Sequence, residues 1–236
     1  MDAKTLLTHS EPFFHWLINW EATRPTLNLQ TVVTDPDRTA IISVDVINGF
    51  CHSGPLASPR VKGIIAPIVR LFENAHMLGV RHLILTQDTH EPDAVEFAQY
   101  PPHCVRGSHE SEAVPEFKAL PFYETMLTFP KNSISSTIGT GFNGWLKSHP
   151  EVNTFIVVGD CTDLCTHQLA MALRLRANAH QKQTRVILPI ECVDTFDLPV
   201  ETAQQIGALP HPADLLHLIF LYNMHQNGVE IVRALQ

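Results

Sequence analysis

Short apolar runs rich in β-branched residues recur along the chain, and helix-like stretches separate them. This alternation is typical of a parallel β-sheet whose two faces are both covered by helices. The sequence therefore predicts an α/β fold with three layers, α/β/α, around a six-stranded parallel sheet. The predicted strands lie near Thr39 to Val46, His82 to Thr86, Thr125 to Phe129, Thr154 to Val158, Thr184 to Pro189 and Val229 to Val232.

Apolar residues at helical spacing predict three longer helices between and after these strands. They span Pro59 to Leu78, Thr162 to Ala179 and Ala213 to Gln226. Pro67 is expected to kink the first of them, because proline lacks the N–H group that an interior helical position donates.

The first 37 residues precede the first predicted strand and are interpreted as an N-terminal helical extension, with residues 38–236 as the main domain. A chain of 236 residues, 44% of them hydrophobic, can bury one sizeable core and is short for two. Aromatic side chains in the extension predict a helix that packs on the domain or on another subunit. These aromatic residues and one leucine are Phe13, Phe14, Trp16, Leu17 and Trp20.

Charge and cysteine usage narrow the classes of function. The formal net charge is -8, and lysine and arginine are scattered, so we expect neither a nucleic-acid partner nor a membrane partner. The five cysteines include no CxxC pair, which argues against a zinc knuckle or a disulfide framework and favours a reducing compartment. The N-terminal residues lack the pattern of a signal peptide, so the expected location is cytoplasmic.

Chemically reactive side chains follow four of the predicted strands at their carboxyl ends. In an open parallel sheet these ends border the crevice where ligands bind. An acidic residue at a strand end is also a common turn former or helix cap, and this alternative applies to each residue taken singly. The candidates are Asp45, Asp88, His90, Lys131 and Cys165.

Cys165 precedes an amphipathic helical run and is expected in the first turn of that helix, with Thr162 as the N-cap. Free backbone N–H groups and the helix dipole there are expected to stabilise a thiolate and lower the pKa of the thiol. N–H groups of the same turn can form an oxyanion hole. The alternative is an inert buried cysteine, and that interpretation is given to Cys51, Cys104 and Cys192, while Cys161 fits either interpretation.

A thiol nucleophile needs a proton acceptor, and Asp45 is the candidate for that role. The Lys131 ammonium is expected to stabilise the thiolate and to hold the carboxylate in place. The alternative for Lys131 is an ordinary surface lysine.

A second group of polar residues has the pattern of a metal site. Asp88 and His90 are two residues apart in an extended segment, and His103 returns from a proline-rich loop as a third ligand. One carboxylate and two imidazoles suit a divalent Zn, Fe or Mn ion, with zinc preferred. The alternative is that these are polar loop residues that cap turns.

These motifs, in this order, resemble the isochorismatase-like cysteine hydrolases, and among them the nicotinamidases, from Thr39 to the C-terminus. The proline-rich segment with His103 is similar to the metal segment of nicotinamidases. The motifs that carry the resemblance are Asp45–Cys51, Gly54–Ala57, Asp88–His90, Tyr100–Gly107, Phe129–Lys131 and Gly159–Cys165.

The resemblance implies the isochorismatase-like hydrolase fold and a role for each matching residue. Asp45, Lys131 and Cys165 would form the catalytic triad, and Asp88, His90 and His103 would hold the metal. The backbone N–H groups of Cys161 and Cys165 would form the oxyanion hole, next to a cis peptide between Asp160 and Cys161. Phe50 would contact a pyridine ring, and Thr162 would also bind substrate. A homo-oligomer is implied by the resemblance alone.

Four positions depart from the nicotinamidase pattern. Gln is usual where Ile47 stands, Asp where Gly49 stands, and an aromatic residue where Thr89 stands. A histidine that often follows the metal pair is replaced by Ala94, with Glu96 close by as a substitute ligand.

The function predicted from these residues is hydrolysis of a small carboxamide, with nicotinamide as the preferred substrate, through a thioester on Cys165. A hydrolase of another small amide, ureido or carbamoyl compound is the alternative. A catalytically silent binding or scaffold protein is the alternative from a different class. No glycine-rich phosphate loop is present, so no nucleotide cofactor is expected.

Overall fold

Six parallel strands form the central sheet of the computed structural model, which describes residues 2–236. Their order across the sheet is β4-β3-β2-β5-β6-β7, and each neighbouring pair is parallel. Two further short strands, β1 and β8, pair with each other in parallel. The strands are β1 (Thr26–Leu27), β2 (Thr39–Val44), β3 (His82–Asp88), β4 (Leu127–Lys131), β5 (Thr154–Gly159), β6 (Arg185–Pro189), β7 (Glu230–Val232) and β8 (Ala234–Leu235).

Helices cover both faces of the central sheet, and each face has its own apolar core. Helices α4, α5 and α6 pack on one face, and α1, α7, α8 and α10 pack on the other. Among residues 2–236, no helix combines the length and the apolar composition that crossing a membrane requires. The helices are α1 (Ala3–Ala22), α2 (Leu29–Val32), α3 (Asn48–Cys51), α4 (Pro59–Gly63), α5 (Ile65–Met77), α6 (Pro115–Lys118), α7 (Phe142–Ser148), α8 (Cys165–Ala179), α9 (Val200–Ile206) and α10 (Ala213–Gln226).

The predicted three-layer fold and its six-stranded parallel sheet are confirmed. All six predicted strands agree with the structure to within two residues at each end, and the helix predicted over Ala213 to Gln226 has those bounds. The strand predicted over Thr125 to Phe129 is shifted by two residues to Leu127–Lys131, so the lysine terminates the strand.

Two helix predictions were wrong in detail. The helix predicted over Pro59 to Leu78 is interrupted at Ile64, and Pro67 does not cause the break. Pro67 is the third residue of α5, where the backbone N–H has no partner within the helix, so a proline costs little there. Helix α8 begins at Cys165 with Leu164 as its N-cap, three residues later than predicted, so Thr162 is not the N-cap.

Helix α1 packs on α10 at the outer side of one layer. Leu17 and Trp20 are buried there, and the rings of Trp16 and Trp20 meet Tyr222 edge to face at 5.4 and 5.8 Å. The structure thus has a helix packed on the domain within the predicted extension, while the division of the chain at residue 37 stays a prediction.

The strand order places a crevice at the carboxyl ends of β2 and β5. Strands β2, β3 and β4 follow one another outwards on one side of the sheet, and β5, β6 and β7 follow one another outwards on the other side. The strand order therefore switches between β2 and β5, and the loops that leave the carboxyl ends of these two strands diverge. Asp45 directly follows β2, and Cys165 follows the loop after β5.

Candidate active site

An ammonium group buried between two carboxylates forms the centre of the crevice. Lys131 Nζ lies 2.7 Å from Asp45 Oδ2, 2.5 Å from Asp88 Oδ1 and 3.5 Å from Cys165 Sγ. Lys131 is only 2% exposed, so its charge depends on these partners for compensation. The lysine is therefore not the ordinary surface lysine of the alternative interpretation.

The backbone of β2 and β3 fixes the position of the Asp45 carboxylate. Asp45 has a φ of 55°, in the left-handed region, which turns its side chain away from the line of the strand. Its Oδ1 atom accepts a hydrogen bond of 2.7 Å from the backbone N–H of Asp88. Its other oxygen is thereby free to face Lys131, and ligand atoms of Asp45, Asp88 and Cys165 lie within 4.8 Å of one another.

Burial sets the protonation of the two groups that would exchange a proton. Burial, followed by the negative charge of Asp88, raises the pKa of the Asp45 carboxyl to about 7, against the opposing effect of Lys131. Burial also raises the pKa of the Cys165 thiol, and the Lys131 ammonium only opposes this effect. The pKa of this thiol is thus raised and not lowered as predicted, because loss of solvent at a side chain that is 6% exposed outweighs the Lys131 ammonium.

The loop between β5 and α8 carries the cysteine and the two N–H groups predicted for the oxyanion hole. The Asp160–Cys161 peptide is cis, as the resemblance implied. Within residues 2–236 neither the N–H of Cys161 nor that of Cys165 donates a backbone hydrogen bond. Both residues line a pocket that opens at the crevice. Two free N–H groups beside a nucleophile can stabilise an oxyanion.

Thr162, predicted to bind substrate, does not line this pocket. Its hydroxyl lies 2.9 Å from His217 Nδ1, and its N–H donates to the backbone oxygen of Asp194. The hydroxyl and the N–H of Thr162 thus both contact residues outside the pocket. This placement gives no support to the prediction that Thr162 binds substrate.

Asp88 also forms a second cluster, with His90 and His103. Their ligand atoms lie within 4.8 Å of one another, and His90 Nε2 is a buried atom without a hydrogen-bond partner among the described residues. The Nδ1 atoms of both rings are engaged: His90 Nδ1 lies 3.3 Å from Asn132 Oδ1, and His103 Nδ1 lies 2.9 Å from the backbone oxygen of Pro101. Burial lowers the pKa of His103, which favours the neutral imidazole that a metal requires.

Glu96 adds a carboxylate beside this cluster. Its Oε1 atom lies 4.0 Å from His90 Nε2, and the residue lines the pocket. It therefore stands where a further ligand could act, as predicted for the substitute of the missing histidine. Together these groups fit a divalent cation.

A partly open pocket of about 390 Å³, a volume that includes the solvent space at its mouth, borders both clusters. Two of its lining residues, Ile134 and Phe196, lie outside the motifs of the sequence and were not predicted. Ile134 follows the Phe129–Lys131 motif by three residues, but Phe196 lies 31 residues beyond Cys165 and nothing in the local pattern marks it. The pocket is lined by Asp45, Phe50, Leu56, Asp88, Glu96, Tyr100, His103, Ile134, Asp160, Cys161, Leu164, Cys165 and Phe196.

Ile47, Gly49 and Thr89, which depart from the nicotinamidase pattern, do not line the pocket in the part of the chain that is described. Ile47 is buried in the core, and the Thr89 hydroxyl donates to the backbone oxygen of Gln87. A Cβ atom at Gly49 would lie 2.5 Å from Cys104 Sγ, so close packing restricts this position to glycine. None of these three residues therefore forms part of the pocket wall.

The sequence matches the isochorismatase domain model over residues 39–205, most of the chain. The chain belongs to the isochorismatase family. Nicotinamidase 1 of Arabidopsis thaliana is 33% identical over 215 residues, a match that covers 81% of this chain and 84% of the relative. The predicted family and the prediction of an amide-hydrolysing enzyme, rather than a silent scaffold, are confirmed.

Solved structures share the fold at lower identity. A cysteine hydrolase from Pseudomonas syringae is similar with a TM-score of 0.68 at 21% identity, and the match covers 89% of this chain and 93% of that one. The pyrazinamidase of Pyrococcus horikoshii in complex with zinc has a TM-score of 0.62 at 22% identity, covering 83% of this chain and 99% of the other. These likenesses confirm the isochorismatase-like hydrolase fold.

Gly159→Ala is expected to destabilise the protein severely. Gly159 has a φ of +110°, and a Cβ atom there would lie 2.0 Å from the backbone oxygen of Val44. The clash and the disfavoured backbone should together reduce the free energy of unfolding by about 3 kcal/mol or more. Urea unfolding followed by circular dichroism measures this change.

Gly144→Ala is the matched control, because Gly144 lies in helix α7 and a Cβ atom there would meet nothing within 4 Å. Alanine should leave the stability unchanged or raise it by up to about 1 kcal/mol. Equal stability of the two variants would contradict the close approach of β2 and β5.

Proposed function

We propose that this protein is a nicotinamidase that hydrolyses nicotinamide to nicotinate and ammonia through a thioester on Cys165. The observation that carries the proposal is the cluster in which Lys131 contacts Asp45 and Cys165, two residues that line the pocket. The similarity to Nicotinamidase 1 of Arabidopsis thaliana supports the choice of substrate.

In the first step Asp45 accepts the proton of the Cys165 thiol, and the thiolate attacks the carboxamide carbon. The ammonium of Lys131, 3.5 Å from the sulfur, stabilises the thiolate as it forms. Because the thiol is buried and neutral at rest, a proton acceptor within the same cluster is needed to activate it.

The negative charge that develops on the carbonyl oxygen is stabilised by the backbone N–H groups of Cys161 and Cys165. When the tetrahedral intermediate collapses, Asp45 returns its proton to the nitrogen and ammonia leaves. Water then attacks the thioester while Asp45 accepts one of its protons, and collapse of the second tetrahedral intermediate breaks the C–S bond. Asp45 returns that proton to the sulfur, which restores the thiol, and the product acid loses its own proton to solvent as nicotinate. The same carboxylate thus serves both halves of the reaction.

The pocket provides an apolar face for the aromatic ring of the substrate. Phe50 lines the pocket, and its ring centroid lies 5.6 Å from that of His103, so the two rings border one cavity. A flat ring with one polar carboxamide group fits such a pocket, whose lining combines apolar side chains with Asp45, Asp88 and Cys165.

We also propose that Asp88, His90 and His103 hold a divalent metal ion, with Glu96 beside them. The uncommitted Nε2 atom of His90 and the mixed carboxylate and imidazole donors support zinc, and iron or manganese suits the same donors. The pyrazinamidase of Pyrococcus horikoshii was solved with zinc. A bound metal would supply a Lewis acid for the pyridine nitrogen or for a water molecule.

Cys165→Ala should lower kcat for nicotinamide by about 10³-fold or more, because the nucleophile is lost. Asp45→Asn should cause a loss of similar size, since the variant cannot accept the thiol proton. Ammonia release from nicotinamide by purified, metal-loaded protein measures both effects. A panel of other small amide, ureido and carbamoyl compounds, assayed in parallel, tests the choice of substrate.

Cys192→Ala is the matched control, because this buried cysteine lies in the core and does not line the pocket. Its turnover should stay within about threefold of wild type. A Cys165→Ala protein as active as Cys192→Ala would disprove the thioester mechanism.

Elemental analysis should find about one divalent metal ion per wild-type chain, and much less in His90→Ala and His103→Ala. Added zinc should raise the Tm of the metal-stripped wild type but not that of either variant, because a ligand stabilises only the form that binds it. His180→Ala, which changes an exposed histidine outside the site, serves as the control. Equal metal content in all four proteins would contradict the assignment.

We further propose a cytoplasmic homo-oligomer with no nucleic-acid or membrane partner. All five cysteines are free, which suits a reducing compartment. Three apolar side chains on α1 are exposed and provide a surface for a second copy of the chain: Leu6, Leu7 and Ile18. Light scattering coupled to size-exclusion chromatography should give a mass of at least twice 26.4 kDa. A monomer at micromolar concentration would contradict the proposal.

A further inference from the structure

A buried ion pair that the proposed mechanism does not use lies behind the pocket. His211 Nε2 is 2.8 Å from Asp163 Oδ2, and the side chain of Asp163 is only 4% exposed. Asp163 precedes the nucleophile by two residues, and His211 lies just before α10, so the pair joins two distant segments. The second oxygen of Asp163 accepts a hydrogen bond of 2.6 Å from the Thr195 hydroxyl.

The partners of His211 show that its ring carries two protons. Nδ1 lies 2.8 Å from the backbone oxygen of Phe196, which can only accept a hydrogen bond. Nε2 faces the Asp163 carboxylate, which is also an acceptor, so both nitrogens donate. Burial works to lower the pKa of His211, but its hydrogen bond to Asp163 and the charge of that carboxylate outweigh burial and raise the pKa.

This imidazolium holds Phe196 in two ways. It binds the backbone oxygen of Phe196, and its ring stacks on the phenyl ring with the centroids 3.8 Å apart and the planes at 18°. A cation at this distance attracts the face of an aromatic ring. The backbone of His211 also exchanges two hydrogen bonds, of 2.8 and 2.9 Å, with that of Leu198, so the whole segment is held.

Phe196 is the point at which this network reaches the pocket. The residue lines the cavity together with Cys161 and Cys165, whereas His211 and Asp163 do not. Its position among the pocket walls therefore depends on two charged residues that lie outside the cavity. Phe196 is therefore the residue that connects the ion pair to the pocket.

We propose that Phe196 is a specificity-determining wall of the pocket that selects carboxamides attached to a planar ring, and that His211 and Asp163 are positioning residues for it. This inference rests on the proposed function and names the class of substrate that the site favours. The phenyl ring gives a planar substrate a flat apolar partner, while a small aliphatic amide gains little from it.

Phe196→Leu keeps an apolar side chain but removes the flat ring. It should raise the KM for nicotinamide about tenfold and change kcat less than threefold, because the wall contributes to binding and not to proton transfer. Phe220→Leu is the matched control on α10, outside the pocket, and its KM should equal that of wild type. An unchanged KM in Phe196→Leu overturns the inference.

A double-mutant cycle tests the positioning role. His211→Gln removes the stacked cation and should raise the KM about threefold to tenfold in the wild-type background, but add no increase to Phe196→Leu. Independent effects in the two backgrounds would show that His211 does not act through Phe196. If His211→Gln does not fold, Asp163→Asn replaces it in the same cycle, and the Phe196→Leu comparison stands without either variant.

Protection of Cys165 separates this inference from the proposed function. Benzamide should slow the alkylation of Cys165 by iodoacetamide, followed by mass spectrometry of the peptide, and Phe196→Leu should need about tenfold more benzamide for half-protection. This readout requires no turnover. A wild type that releases no ammonia from nicotinamide refutes the function alone, whereas equal protection in wild type and Phe196→Leu refutes the inference alone.

Discussion

The buried ammonium of Lys131 is the interaction on which the arrangement of the site depends. A charge removed from water is tolerated only when it is paired closely, and removing one partner of such a pair typically costs about 3–5 kcal/mol. Lys131 ends an edge strand, and its two carboxylate partners lie at or just after the ends of the neighbouring strands. Because the strands are parallel, their three carboxyl ends lie side by side at the same end of the sheet. Cys165 contacts the same ammonium from the start of the helix that follows β5.

Asp88 belongs to two clusters at once. One of its oxygens contacts Lys131 and also lies 3.4 Å from His90 Nε2, so the catalytic cluster and the proposed metal site share a carboxylate. Two carboxylates and one ammonium leave an excess negative charge in a buried volume. A divalent cation beside Asp88 would offset that charge, which links metal binding to the electrostatics of the nucleophile.

Burial makes the Cys165 thiol less acidic than an exposed thiol at a helix N-terminus would be. Burial holds Cys165 neutral in the resting protein, while burial and Asp88 bring the pKa of Asp45 to about 7. The two groups are therefore poised for a proton to pass between them when a substrate supplies the acceptor carbon. The thiol is thus activated by proton transfer to Asp45 rather than by standing as a thiolate in the resting protein.

The local pattern of the sequence was sufficient for the strands, because apolar runs of β-branched residues are a property of a few neighbouring positions. It also identified Asp45, Lys131 and Cys165, since each follows or ends a strand. The sequence could not give the helix start at Cys165 or the raised thiol pKa, which depend on burial by other segments. Phe196 reaches the pocket from far along the chain, and the His211 ring stacks on it from outside the cavity. Their role was decided only by tertiary packing, which no local pattern encodes.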